Sequence, residues 1–219
     1  MSVNKTEDDI HNFSFQHTMS IFLENPALCL APQGKPLIHD LIYSWGNKAW
    51  TASDEYLLAC IEHTLVSEGP VLECGSGLTT LLLGAVCKQR GIPYFALEHK
   101  QASATKVQNY LNYYGIESVF LFTKPIKNYG QFCWYDPPLD MLPDEFKLVI
   151  CDGPPYKTKG GRVGLVPIMK EKLKHGSIIL LDDAWRIKEA VIAKYWSSSL
   201  KASCDNLGHE RSYIKLNIL

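Results

Sequence analysis

The chain carries almost no net charge: 22 lysines and arginines stand against 23 aspartates and glutamates, a formal −1. That balance excludes the electrostatic footprint of a nonspecific nucleic-acid binder or of a protein drawn to anionic membranes. No apolar run approaches the roughly 20 residues that a membrane span needs. The seven cysteines (Cys29, Cys60, Cys74, Cys87, Cys133, Cys151 and Cys204) are odd in number, scattered, and never spaced as C-x-x-C. They are expected to be buried thiols in a reducing compartment, not zinc ligands or a disulfide framework. The seven histidines show no ligand spacing, and neither a serine elbow nor a cysteine-nucleophile motif occurs. Met1 to Asp9 is polar and acidic, unlike a secretory leader. Repeats, linkers and low-complexity stretches are also missing. The expectation is a soluble cytoplasmic protein with no nucleic-acid or membrane partner.

What is present fits one large domain over 1–219, with 46% hydrophobic and 21% charged residues. The stretch 1–67 reads as a helical N-terminal extension and 68–219 as the core. Leu57, Cys60, Ile61 and Leu65 make a helical stripe, with Thr51 and Asp54 spaced as a capping box ahead of it. Upstream, Trp45 and Trp50 flank a turn signal, Gly46-Asn47. This segment either buries its tryptophans where helices dock or covers a ligand cleft as a lid.

The most informative stretch is Pro70-Val71-Leu72-Glu73-Cys74-Gly75-Ser76-Gly77-Leu78-Thr79-Thr80. An apolar strand ends in an acid and two glycines, then Leu78, Leu81, Leu82 and Ala85 follow at helical spacing. Strand, glycine turn and helix form the layout by which a parallel sheet brings backbone close to a nucleotide. Strands follow at Tyr94–Glu98, Val119–Phe122, Leu148–Cys151 and Ile178–Leu181, and a β pair lies near Ser203 and Tyr213–Ile218. Helices are expected on Val107, Tyr110, Leu111 and Tyr114, on Leu165 to Leu173, and on Ile187, Val191 and Tyr195. Tyr129 to Pro138 reads as an aromatic loop. The middle strands are apolar throughout, as when helices cover both faces.

Acids stand at four strand ends: Glu73, Glu98, Asp152 and the pair Asp182-Asp183. Ligands of open parallel sheets bind there. Glu98 lies about 20 residues beyond Gly75, the separation of an acid that accepts ribose hydroxyls. The dinucleotide fingerprint wants a third glycine where Thr80 stands, and Glu73 disfavours a pyrophosphate on that helix end. A cationic ligand such as S-adenosylmethionine suits the site better than NAD.

Glu73-x-Gly75-x-Gly77-x-Thr79-Thr80 resembles the first motif of class I S-adenosylmethionine-dependent methyltransferases, and Glu98-His99 their acidic second-strand end. Asp152-Gly153-Pro154-Pro155 with Arg162 resembles a bacterial D-G-P-P branch. The resemblance implies a doubly wound α/β fold: a seven-stranded, mostly parallel sheet with the last strand antiparallel. It implies donor binding by Glu73, Gly75, Ser76, Gly77, Thr79, Thr80, Glu98, His99 and Asp152.

Asp152, Asp182 and Asp183 resemble the metal triad of catechol-type O-methyltransferases, which would suit Mg²⁺. Asp183 replaces that family's Asn, and Pro155 its lysine, so Lys157 is the candidate base beside Asp152 and Asp182. Otherwise, Asp152 helps to bind the donor and Asp182 or Asp183 caps a helix. The expected reaction is methyl transfer to a small-molecule acceptor, at oxygen. Alternatives are amine methylation through Asp152–Tyr156, which resembles a D/N-P-P-Y motif with Gly153 inserted, and a non-catalytic or NAD-type nucleotide-binding protein. The turn from Lys157 to Arg162 is either a solvated loop or a reader of an acidic group on the acceptor.

Overall fold

β1 (Val71–Cys74) lies in the middle of the sheet because both its faces are apolar. Val71 faces one hydrophobic cluster, whereas Leu72 and Cys74 face another on the opposite side. β2 (Tyr94–Glu98) and β6 (Phe146–Cys151) alternate in the same way, so the strands read as unbroken apolar runs. The computed structural model describes residues 7–46 and 51–219, with side chains described from Phe13 onward. Trp50 therefore lies outside the described residues.

The chain enters through α1 (Glu7–Glu24), α2 (Lys35–Trp45) and α3 (Asp54–Val66). Ser53, not Thr51, caps α3: its hydroxyl accepts from the Tyr56 amide at 3.3 Å. After β1 come α4 (Leu78–Arg90), β2, α5 (Gln101–Tyr113) and β3 (Val119–Thr123). Phe15, Met19, Phe22, Ile38 and Leu41 share one core with Leu81, Leu82 and Val107, so the first helices are built into the same body as the sheet.

Tyr129 to Pro138 is not a loop throughout. β4 (Ile126–Asn128) and β5 (Cys133–Tyr135) pair antiparallel around Gly130, whose φ of 83° serves the turn. Trp134 and Tyr135 are thereby buried. β6 is followed by a short α-helix, α6 (Leu165–Met169), with a 3-10 turn on either side. Leu173, expected on that helix, opens β7 (Leu173–Leu181) because it pairs with Phe146 across an irregularity in the ladder. α7 (Ile187–Leu200), β8 (Ala202–Leu207) and β9 (Tyr213–Ile218) complete the chain. α7 buries Glu189, Ile192, Ala193 and Trp196 and leaves the stripe of Ile187, Val191 and Tyr195 exposed.

The sheet has seven strands in the order β3-β2-β1-β6-β7-β9-β8. β9 runs antiparallel to both its neighbours, and every other pairing in the sheet is parallel. The order reverses between β1 and β6, which opens a crevice beyond their carboxyl ends. No described helix is long and apolar enough to cross a membrane. All seven cysteines are free; Cys204 is exposed and Cys133 half-buried, contrary to the expectation of burial.

Candidate active site

A cleft of about 970 Å³ occupies that crevice. Gly75, Ser76, Gly77 and Thr79 border it from the β1–α4 turn, and Glu98 and His99 from the end of β2. Asp152, Pro155, Tyr156 and Lys157 border it after β6, Asp182, Asp183, Trp185 and Arg186 after β7. Trp45, Thr51 and Ala52 reach it from the N-terminal helices, and Arg211 from the β8–β9 turn.

The glycine turn is built for close approach by a ligand. Gly75 has φ 110°, a conformation that L side chains rarely adopt. Gly77 is extended, and a Cβ there would meet no protein atom within 4 Å, so a side chain would extend into open space beside the cleft. The turn is pinned from behind. The Thr80 hydroxyl donates to Glu73 Oε2 at 2.6 Å and accepts from the Gly77 amide at 2.9 Å. Thr80 is fully buried and does not border the cleft, so its place is behind the turn rather than against a ligand. Glu73 borders the cleft yet is nearly enclosed, and burial pushes its carboxyl up to about 8 despite the Thr80 bond.

Glu98 is buried and held in place by local backbone. Its Oε1 accepts from the amides of His99 at 2.6 Å and Lys100 at 2.8 Å, and Oε2 accepts from the Ser76 hydroxyl at 2.8 Å. One carboxylate thus ties the end of β2 to the turn after β1. Three of its four lone-pair sites are so used, which leaves Oε2 one more to accept a ligand hydroxyl.

The third group centres on a residue that sequence reasoning assigned elsewhere. Arg162 is 2% exposed. Its Nη1 donates to the Asp182 carbonyl at 2.6 Å, and its Nη2 to the Asp152 carbonyl at 2.6 Å. The same Nη2 lies 2.8 Å from Asp152 Oδ1 and 2.8 Å from Asp183 Oδ2. Arg162 is therefore not a solvated turn residue: it is buried at the cleft wall with its guanidinium turned to these acids. Asp183 also pairs with Arg186 at 2.8 Å and Arg211 at 3.4 Å. Its backbone has φ 59°, a left-handed conformation that Asp tolerates better than most residues. Asp182 Oδ1 accepts from the Asp183 amide at 2.6 Å. Burial and the neighbouring acids push Asp152 up to about 8 and Asp182 up to about 6, against the pull of Arg162.

Asp152, Asp182 and Asp183 do offer oxygens within 4.8 Å of one another. They do not fit a divalent ion, because the guanidinium already lies in hydrogen-bonding contact with two of the three carboxylates. Glu189, on the inner face of α7, is fully buried with neither carboxylate oxygen hydrogen-bonded, and Arg162 offsets its charge. Sequence reading missed it; the only signal was an acid among the apolar residues of that helix.

The β8–β9 turn is fastened on two sides. The Ser212 carbonyl accepts from the Ala184 amide at 2.8 Å, and the His209 amide donates to Glu55 Oε2 on α3 at 2.8 Å. Lys157 is exposed on the cleft rim.

No family model and no curated protein matches the chain. Solved structures do. A Podospora anserina methyltransferase bound to SAH aligns with TM-score 0.61 and 15% identity, over 100% of this chain and 90% of that one. The fold is that of the class I methyltransferases. A putative caffeoyl-CoA O-methyltransferase from Staphylococcus aureus aligns with TM-score 0.60 and 13% identity, covering 94% of this chain and 99% of its own. An O-methyltransferase from Bacillus cereus in complex with SAH aligns with TM-score 0.54 and 14% identity, over 98% and 93%.

Proposed function

We propose that the protein transfers the methyl group of S-adenosylmethionine to a small-molecule acceptor, at oxygen, without a metal ion. The observation that carries this reading is Glu98, a buried carboxylate fixed by two backbone amides and by Ser76 of the glycine turn. A carboxylate held there suits a ribose hydroxyl, and Gly75 and Gly77 leave the backbone open to the rest of the donor. When bound, the donor supplies a methyl group on a sulfonium, electrophilic without further activation.

The chain's own residues have two tasks. One is alignment, since an in-line displacement gains most of its rate from positioning. The other is removal of a proton from the acceptor. Asp152 is suited to the second: its side chain is 33% exposed, and its bond to Arg162 uses Oδ1. A carboxyl raised to about 8 is a competent base near neutral pH. Asp182 is turned toward the Asp183 amide and serves to hold the turn.

Titration calorimetry of the full chain with S-adenosylmethionine, S-adenosylhomocysteine and NAD tests the reading. Both adenosyl ligands should bind and NAD should not, and Glu98→Gln should weaken them by about tenfold or more. Binding of NAD with no response to S-adenosylmethionine overturns it.

A further inference from the structure

Beyond the donor half of the cleft lies a second half with a different character. Tyr156 and Trp185 both border it and remain 49% and 55% exposed, which places two accessible rings in the same cleft. The Arg186 guanidinium lies 5.0 Å from the Trp185 ring and 5.5 Å from that of Tyr156. Lys188 Nζ also lies over the Tyr156 ring, at 4.8 Å, and two rings with a planar guanidinium between them suit a planar partner.

Two cations, Arg211 and Lys157, reach the cleft at this end. Asp183 is shared by Arg186, Arg211 and Arg162, the last of which pairs with Asp152 as well. Arg211 is the loosest of them, 3.4 Å away and 41% exposed. Lys157, on the same rim, has no carboxylate within ion-pair distance among the described residues.

We infer that the methyl acceptor is a flat aromatic molecule bearing a carboxylate or phosphate, its ring against Tyr156 and Trp185 and its anionic group met by Arg211 and Lys157. This rests on the methyltransferase reading and names the substrate class of the same site. The phenolic or enolic oxygen of such a molecule would be the methylated atom: its proton passes to Asp152, its lone pair forms the new C–O bond, and the C–S bond breaks with its electrons returning to sulfur.

The test is calorimetry on the full chain saturated with S-adenosylhomocysteine, with para-hydroxybenzoate, para-hydroxycinnamate and para-hydroxyphenyl phosphate, each against its uncharged amide or ether counterpart. At least one anion should bind about tenfold or more tighter than its neutral counterpart, and the carboxylate and phosphate arms tell which group is read. Arg211→Met and Lys157→Met should each erase most of that preference while S-adenosylhomocysteine affinity stays unchanged, which also shows that the variants are folded. Equal binding of charged and neutral probes, or binding of none beside intact S-adenosylhomocysteine affinity, overturns the acceptor inference and leaves the donor reading standing. A preference that persists in both variants overturns the assignment to these residues. Failure of S-adenosylhomocysteine to bind overturns the donor reading, and this inference with it.

Discussion

Arg162 holds Asp183 at 2.8 Å with the same terminal nitrogen that reaches Asp152 at 2.8 Å. A divalent ion bound by these acids would need oxygens in its own coordination sphere, with no room for a cation already bonded to them. The guanidinium is permanently charged and planar, and it bonds in fixed directions. It can therefore set the geometry of two loops without depending on metal supply. Full methyl transfer, or full S-adenosylhomocysteine affinity, should survive excess EDTA. Loss of either that Mg²⁺ restores would show that the carboxylates take a metal after all.

Removing the guanidinium should be costly. Arg162→Met leaves Asp152 and Asp183 without their shared partner, and breaking a buried pair costs about 3–5 kcal/mol. Denaturant unfolding measures this directly. Arg162→Lys keeps the charge but cannot reach both carboxylates and both carbonyls, so it should recover only part of the loss.

Stability should fall with rising pH through Glu73. Its folded value, about 8, exceeds the ordinary 4.5, so the folded protein keeps a proton that the unfolded chain releases. The stability this group contributes is whole below pH 4.5 and is lost as pH climbs through about 8. The denaturant midpoint of the native protein should decline over that window more steeply than that of Glu73→Gln. Catalysis should move the other way, because Asp152 must be ionised to accept a proton: kcat should rise with pH toward about 8.

Thr80→Val keeps the shape and deletes the hydroxyl that joins Glu73 to the Gly77 amide. Two buried polar groups lose their partner, a cost of about 1–3 kcal/mol. The glycine turn loosens, and S-adenosylhomocysteine affinity should drop by about tenfold, with Thr80→Ser restoring both.

Gly153→Ala should disturb the same cleft from the opposite wall. An added Cβ would lie 2.2 Å from the Tyr135 hydroxyl and 3.0 Å from the Cys74 carbonyl oxygen. Overpacking of this kind costs about 1–3 kcal/mol, and thermal unfolding should show it. Adding Tyr135→Phe should relieve only part, since the contact with Cys74 backbone remains.

The sheet was legible because every central strand is an apolar run closed by a turn signal, and the acids at their ends stand where the fold brings them together. The grouping around Arg162 was not. Its partners are distant in sequence, and they meet only because β6 and β7 are neighbours in the sheet. Nothing in a basic turn such as Lys157 to Arg162 reveals that its last residue points inward. Tyr129 to Pro138 misled for a related reason: aromatics and prolines obscure a three-residue strand pair. On α7, Ile187, Val191 and Tyr195 make the clearer apolar stripe, yet the helix buries the face with Glu189 and Trp196.

The turn fastened to Ala184 and Glu55 brings Arg211 to the cleft, whereas the donor half draws on β1, β2 and β6 and takes nothing from the final hairpin. A protease cut between Gly208 and Ser212 would therefore produce an enzyme that still holds its methyl donor tightly but has become indiscriminate about what receives the methyl group.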